Sequence, residues 1–166
     1  LYGLEATPAE SATFRFARLD RERFSGIRTA GHEGDTPYYT NSTKLPADYD
    51  GTLQGALINQ DSLQPLYTTG TVFHVYMERE LEDWKKARDL LSSMITEHHI
   101  PCFTLSPVYT ICQTCGYLPG RQERCPKCNG AADVYSRIAG YYRPVHDWND
   151  GKAQEFRNRI MFRIGE

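Results

Sequence analysis

Long apolar runs, an excess of positive charge and internal repeats are all missing from this 166-residue chain. Its apolar runs are far shorter than a membrane span, and no secretory signal peptide is visible. Because 19 Lys and Arg residues face 21 Asp and Glu residues, the net charge of −2 gives no support to direct nucleic-acid binding. A hydrophobic content of 40% instead predicts a soluble globular protein with a sizeable core.

Cysteine is scarce, and four of the five cysteines lie close together in the sequence. Cys112 and Cys115 form one Cys-x-x-Cys pair, and Cys125 and Cys128 form a second pair after nine intervening residues. Two pairs at this spacing predict a closed zinc site, in which four thiolates surround the ion at about 2.3 Å. Two disulfides, a redox-active pair and an iron centre remain alternatives. Five cysteines, four of them in metal spacing, favour a reducing compartment, the cytoplasm.

A glycine follows the cysteine pairs, within the segment Arg-Ile-Ala-Gly-Tyr-Tyr that spans residues 137–142. The local pattern alone favours a turn in which Gly140 has a positive φ angle. In combination, the four cysteines and the R-I-A-G-Y motif resemble the radical-bearing end of anaerobic (class III) ribonucleoside-triphosphate reductases. The resemblance implies that Gly140 carries a stable backbone radical. A separate activase with a [4Fe–4S] cluster would install that radical by cleaving S-adenosylmethionine.

Two further segments extend the resemblance toward the N-terminal half of the chain. They read E-A-T-P-A-E-S at residues 5–11 and Y-Y-T-N-S at residues 38–42. The resemblance implies that both segments contact the nucleotide substrate and that the first holds its phosphates. An ordinary capped helix and an ordinary turn remain alternatives. The implied substrate-binding residues are Ala6, Thr7, Pro8, Ala9, Glu10, Ser11, Asn41 and Ser42.

The resemblance also implies an α/β fold divided into three parts. Residues 1–108 would form the C-terminal part of a ten-stranded β/α barrel of the glycyl radical enzyme type. Residues 109–132 would form a small four-cysteine zinc ribbon. Residues 133–166 would hold the glycyl radical loop and a last helix. Because the chain begins at Leu1 without an initiator methionine, we expect a fragment, a processed product or one piece of a divided enzyme.

Capping residues and apolar periodicity predict three longer helices. The first would run from Thr7 to about Phe24, with Thr7 as N-cap and Glu10 closing a capping box. The second covers residues 78–98, and its apolar stripe is expected to pack on the preceding strand. The third covers about 151–164, with Asn149 or Asp150 as its cap. The stripe of the second helix consists of Leu81, Trp84, Ala87, Leu91 and Ile95.

Alternating residues predict strands at 71–77 and 100–108, with a shorter candidate at 38–42. The first two strands and the helix between them form a predicted strand–helix–strand unit. His74 is interpreted as a hydrogen-bonded core histidine within the first strand. In the second strand, Cys102 would share a face with Thr104 and Ser106.

The implied function is the reduction of ribonucleoside triphosphates to deoxyribonucleotides by radical chemistry. Gly140 would store the radical and pass it to a thiyl cysteine that no residue of this chain matches. The thiyl would abstract the ribose 3′-hydrogen, and the 2′-hydroxyl would leave as water. Implied partners are the rest of the reductase in a homodimer, the activase, and formate or a redoxin (thioredoxin or glutaredoxin) as reductant.

Two other functions are compatible with the same residues. The chain could be a glycyl-radical spare part that docks onto a damaged partner enzyme, or a zinc-ribbon interaction module. Cys102, the fifth cysteine, is interpreted either as a redox thiol facing the active site or as a buried packing residue. The phosphate-binding resemblance of residues 6–11 favours the reductase over both other functions.

Overall fold

The computed structural model describes residues 2–164 of the chain. Residues 1, 165 and 166, which bound the predicted parts 1–108 and 133–166, lie outside the described residues. None of the helices in the described part is long and apolar enough to cross a membrane. The elements are α1 (Ser11–Arg23), α2 (Leu53–Asp61), β1 (Phe73–Met77), α3 (Trp84–Glu97), β2 (Phe103–Pro107), β3 (Tyr109–Cys112), β4 (Gly116–Pro119), β5 (Ala132–Arg137), β6 (Tyr142–Pro144) and α4 (Asp150–Asn158).

The predicted strand–helix–strand unit is confirmed, because β1 and β2 pair in parallel and α3 connects them in the sequence. One face of this strand pair is apolar and packs against α2 and α3. Burying these side chains provides the main hydrophobic stabilisation of this part of the molecule. The core residues are Ala56, Leu57, Phe73, Val75, Met77, Met94 and Ile100.

The opposite face of the same strand pair is polar and hydrogen-bonded. His74 Nδ1 lies 2.8 Å from Thr104 Oγ1, which in turn lies 3.0 Å from Ser106 Oγ. Burial and the nearby charge of Lys44 lower the pKa of His74 to about 3, so the imidazole is neutral at neutral pH. The prediction of a hydrogen-bonded histidine is confirmed, although the ring faces a cavity beside the core.

The four-cysteine segment folds into an antiparallel sheet with strand order β4-β3-β5-β6. Its apolar core is small and consists of Cys112, Leu118 and Cys125, with Cys115 and Ala132 partly buried beside them. Because β5 runs from Ala132 to Arg137, the sheet spans the predicted boundary between residues 132 and 133. A second apolar cluster, Val108, Ile138, Trp148 and Phe156, joins the sheet to α4.

The first predicted helix is present and ends near Phe24 as expected, but its predicted start and the predicted strand at 38–42 are wrong. The first helix begins at Ser11, and its N-cap residue Glu10 makes no side-chain capping bond, so no capping box forms with Thr7. Residues 38–42 form no strand beyond a single bridge from Tyr38 to Ala30. The reason is that this segment bonds to the first helix region: Tyr39 N donates to Thr13 O.

The second and third predicted helices are shorter than expected. Asp83 Oδ1 accepts from Lys85 N at 2.8 Å, and this cap starts α3 at Trp84. Trp84 and Ile95 of the predicted stripe are both 67% exposed, whereas Met94 is 1% exposed and contacts the core. The helix α4 is capped by Asn149 as the sequence indicates, but it ends at Asn158.

The early end of α4 has a physical cause in the edge of the parallel strand pair. Ile160 N donates to Ala47 O, and Phe162 N donates to Tyr76 O. Phe162 thereby forms a parallel bridge with Met77, the last residue of β1. These bonds satisfy backbone groups that an unpaired strand edge would leave open, so the chain extends instead of continuing the helix.

Candidate functional site

The four predicted metal ligands converge at one end of the antiparallel sheet. The sulfur atoms of Cys112, Cys115, Cys125 and Cys128 all lie within 4.8 Å of one another. The sulfurs of Cys112 and Cys128 are 3.6 Å apart. Four sulfurs at tetrahedral positions about 2.3 Å from an ion would be separated by roughly 3.8 Å. The donor set therefore fits a tetrahedral metal ion such as zinc.

Backbone geometry shapes both halves of this cysteine cluster. Gly116 and Asn129, which follow the two pairs, both have positive φ angles, 77° and 55°, and these left-handed residues let the chain turn tightly. Backbone N–H groups of Cys128 and Lys127 donate toward the sulfur of Cys125 and lower its pKa to about 6. One thiolate is thus favoured at neutral pH, and thiolate is the form that binds metal.

Gly140 lies at the exposed tip of the hairpin between β5 and β6, here called the glycine hairpin (residues 138–141). The hairpin is closed by a bond of 3.0 Å from Ile138 N to Tyr141 O. The φ angle of Gly140 lies outside the left-handed region, so the positive φ expected from the local pattern is wrong. A Cβ atom at this position would meet no atom within 4 Å. Neither backbone conformation nor space requires glycine here.

Arg137 fixes the glycine hairpin against the polar face of β2. Its Nη1 donates to the carbonyl oxygen of Gly140 at 2.7 Å, and its Nε donates to Ser106 Oγ at 3.0 Å. The guanidinium also lies 4.9 Å from the ring centroid of Tyr142, whose hydroxyl donates to Pro107 O. The Arg137 guanidinium is anchored to Ser106 of the strand pair, and it therefore holds the Gly140 carbonyl in place by a charge-assisted hydrogen bond.

The two N-terminal segments of the resemblance lie beside the same hairpin. Glu10 Oε2 accepts from the Tyr141 hydroxyl at 2.7 Å, and Glu10 Oε1 accepts from Arg143 Nη1 at 3.2 Å. Asn41 Oδ1 accepts from Ala9 N at 3.1 Å, which joins the second segment to the first. The structure thus places both segments beside the glycine hairpin, where they contact residues that flank Gly140.

A cavity of about 100 Å³ lies between residues 40–49, β1, the glycine hairpin and α4. Lys44, Glu155 and Arg159 contribute charges to its wall, and Asn41 and Ala139 also line it. Glu155 already binds both Arg159, at 2.9 Å, and the buried Lys152. Burial, together with the nearby charge of Lys152, lowers the pKa of Lys44 to about 8. The wall therefore holds two cations, Lys44 and Arg159, and one carboxylate, Glu155, and this net positive charge favours anions.

Cys102 lies exposed immediately before β2, apart from the four clustered cysteines. The hydrogen bond between Thr104 and Ser106 shows that these two residues share the polar face, as predicted. The sequence did not predict the bonds from Glu10 to the residues after Gly140 or the bond from Arg137 to the Gly140 carbonyl. It also did not predict that Lys44 lines the cavity. The arginine of the R-I-A-G-Y motif was visible, but its bond to Gly140 depends on the turn geometry.

Comparison with known proteins gives a consistent result along the chain. The family model for anaerobic ribonucleoside-triphosphate reductase matches residues 1–162. The anaerobic ribonucleoside-triphosphate reductases of Escherichia coli and of Enterobacteria phage T4 are each 24% identical to this chain. Each alignment covers 96% of this chain, but only 23% of the Escherichia coli protein and 27% of the phage protein. The chain thus spans about a quarter of the length of these relatives.

Solved structures show the same fold over the same extent. An anaerobic ribonucleotide reductase structure superposes with a TM-score of 0.73 at 20% identity, covering 96% of this chain and 25% of that one. The Thermotoga maritima anaerobic ribonucleotide reductase in complex with dATP and CTP gives a TM-score of 0.68 at 20% identity. That match covers 93% of this chain and 24% of that one. With its four-cysteine cluster and a family match over nearly its whole length, the chain belongs to the anaerobic ribonucleoside-triphosphate reductase family.

Proposed function

We propose that this chain is the C-terminal part of an anaerobic ribonucleoside-triphosphate reductase and that Gly140 carries its radical. The observation that carries the proposal is the glycine at a position where an alanine would fit without strain or contact. Because the fold does not require glycine at position 140, we explain the glycine by the chemistry that it allows. Removal of an α-hydrogen from glycine leaves an unpaired electron that the flanking amide and carbonyl groups delocalise, and a Cβ would crowd that planar form.

Arg137 and the exposure of the hairpin tip suit this role. The guanidinium bond to the Gly140 carbonyl draws electron density toward the oxygen and favours delocalisation of the unpaired electron. The exposed position of Gly140 leaves its α-hydrogen open to an activase that uses S-adenosylmethionine and a [4Fe–4S] cluster. The radical then passes to a thiyl cysteine outside this chain.

The three-part division is part of the proposal. In a β/α barrel, helices cover the outside of the strands. For a barrel of the glycyl radical enzyme type, the resemblance implies that the inner face lines the reaction site. The pair β1 and β2 has this layout, because α2 and α3 cover its apolar face and the glycine hairpin docks on its polar face. Residues 1–108 then supply barrel strands, residues 109–132 a zinc ribbon, and residues 133–166 the radical loop and last helix.

In the proposed reaction, a ribonucleoside triphosphate loses its 2′-hydroxyl as water after the thiyl has taken the 3′-hydrogen. Two electrons from formate or a thiol redoxin balance the reduction. The segment Ala6 to Ser11 would help hold the phosphates through its backbone N–H groups, and Asn41 and Ser42 would face the substrate. The cationic cavity beside these residues supports an anionic ligand. The polar face next to the exposed Cys102 supports a redox role for that thiol.

The zinc ion would be structural. Four thiolates complete its coordination and leave no position for substrate, so its role is to fix the sheet from which the glycine hairpin projects. The complete enzyme would act as a homodimer, as the family resemblance implies, and in the reducing cytoplasm that the cysteine pattern favours.

The test is anaerobic activation of the assembled reductase, followed by EPR spectroscopy. We expect a doublet split by the remaining α-hydrogen, and deuteration of glycine should collapse it to a singlet. Exposure to air should then cut the chain and give a fragment ending near Ala139. Gly140→Ala should abolish the doublet and the cut while leaving metal content and folding unchanged, because its Cβ meets open space. A doublet that survives in this variant would contradict the assignment.

A further inference from the structure

Glu10 connects the beginning of α1 to the glycine hairpin across more than 130 residues of sequence. We call this contact the Glu10 clasp, formed by Glu10, Tyr141 and Arg143. Its two hydrogen bonds use both carboxylate oxygens, and one of them is an ion pair. The donors lie one and three residues after Gly140, so the clasp attaches the C-terminal side of the hairpin tip.

The backbone around Glu10 is attached to other elements as well. Its carbonyl oxygen accepts from Asn149 Nδ2 at 3.3 Å, at the residue that caps α4. The preceding residue, Ala9, donates to Asn41 Oδ1. A Cβ at Gly151 would lie 2.5 Å from Phe14 Cβ, which shows how closely α1 and α4 approach. Residues 6–11 therefore move together with these neighbours or break the bonds to them.

The charge of Glu10 argues against direct contact with a triphosphate. A carboxylate among groups that bind phosphate would repel the ligand by the Coulomb interaction between like charges. Here both carboxylate oxygens are already paired with donors from the hairpin, and the side chain is 28% exposed. The segment thus directs this side chain toward Gly140, whichever of its other groups meet the ligand.

We propose that Glu10 is a positioning residue that couples nucleotide binding at residues 6–11 to the position of Gly140. The inference rests on the proposed function, which places the phosphates at this segment. A nucleotide that orders the segment also orders the glycine hairpin through the clasp, so that the radical site is held in place when substrate is present. Coupling of this kind is reciprocal, and a fixed hairpin strengthens nucleotide binding by the same factor.

The test is amide hydrogen exchange of the assembled reductase before activation, with and without a ribonucleoside triphosphate. In the wild-type enzyme we expect the nucleotide to slow exchange in peptides covering residues 137–143 by about fivefold, the lower end of typical couplings between sites. In Glu10→Ala the nucleotide should still bind, but the slowing should be lost. Tyr141→Phe removes a single hydrogen bond and should lose part of the slowing. Combining both changes should add nothing to Glu10→Ala, because the two residues share one interaction.

The matched control is Glu22→Ala, because Glu22 lies on the same helix, with its side chain 63% exposed and paired with Arg18. It should behave as the wild type. Unchanged slowing in Glu10→Ala, or no slowing in the wild type, would overturn the inference. Loss of nucleotide binding in Glu10→Ala would also overturn it, since Glu10 would then be a ligand contact. If Glu10→Ala fails to fold, Tyr141→Phe decides the question. The EPR doublet of Gly140 is measured separately, so that failure of the proposed function is recognised independently.

Discussion

The helix-covered strand pair and the four-cysteine sheet are held together by different forces. The strand pair buries aliphatic and aromatic side chains, including Val75, Leu57 and Met94, each at 2% exposure or less. Among the described residues, the apolar cluster at the cysteine end of the sheet has one buried member besides two cysteines, Leu118. Hydrophobic burial stabilises the first region, whereas we expect the second to depend on a metal ion held by the four cysteines. We therefore expect the strand pair to be stabilised by hydrophobic burial and the cysteine end of the sheet by metal binding.

Metal removal should separate the two regions most strongly. A chelator should unfold residues 109–132, because structural zinc contributes on the order of 10 kcal/mol to such sites. Hydrogen exchange should become fast in this segment and stay slow in β1 and β2. Elemental analysis should find one zinc per chain, and Cys112→Ser should lower that content. Cys102→Ser serves as the control and should retain the metal, since Cys102 lies outside the cluster. Slow exchange in metal-free residues 109–132 would contradict the comparison.

Truncation of a side chain in the apolar core should destabilise the strand pair by less free energy than metal removal costs the cysteine sheet. Met94→Ala removes a side chain that is 1% exposed, and we expect a loss of about 2–5 kcal/mol in the free energy of unfolding. Its neighbour Ile95 is 67% exposed, and Ile95→Ala should change that free energy by no more than about 0.5 kcal/mol. Urea unfolding measures both variants. Equal losses would show that α3 packs through a different face.

The smallest expected effect concerns the cationic cavity where the two regions meet. The pKa of Lys44 falls from its ordinary value of 10.5 to about 8, chiefly through burial. Between these values the unfolded chain retains a proton that the folded chain has lost, so the contribution of Lys44 to stability rises with pH. Lys44→Met should therefore be more stable than the wild type near neutral pH, and the difference should shrink as the pH rises through this window. Urea midpoints measured across it test the prediction, and a constant difference would contradict it.

The sequence predicts the parts of this fold that depend on local patterns. Alternation identified β1, and cysteine spacing identified the cluster of four sulfurs, because both depend on residues close together in sequence. The sequence also limited the cap of α4 to Asn149 or Asp150, and Asn149 forms it. The burial of Met94 in place of Ile95 was not visible in the sequence. Which of two adjacent helix residues is buried depends on the surface against which the helix packs. Local chemistry was thus sufficient for the presence of these elements, but their exact faces required the tertiary structure.

The missed features all depend on distant partners. The end of α4 is set by bonds from Ile160 and Phe162 to residues far earlier in the chain. The side chain of Glu10 was expected near phosphate, but its observed partners lie more than 130 residues away. Neither pairing leaves a periodic pattern in the sequence. Sequence reasoning therefore identified the candidate radical residue and the metal ligands, while the contacts that position them came from the structure.

The open space around Gly140 has a consequence for a cell that makes this protein. Chaperones and proteases recognise chains by their unfolded fraction, which depends on stability. An alanine at this position meets no neighbour and adopts the same backbone, so the altered chain would fold, bind metal and pass such surveillance. If Gly140 carries the radical as proposed, this altered chain would be inactive although it is folded. Selection for glycine at this position would then act through catalysis, because protein quality control would not detect its loss.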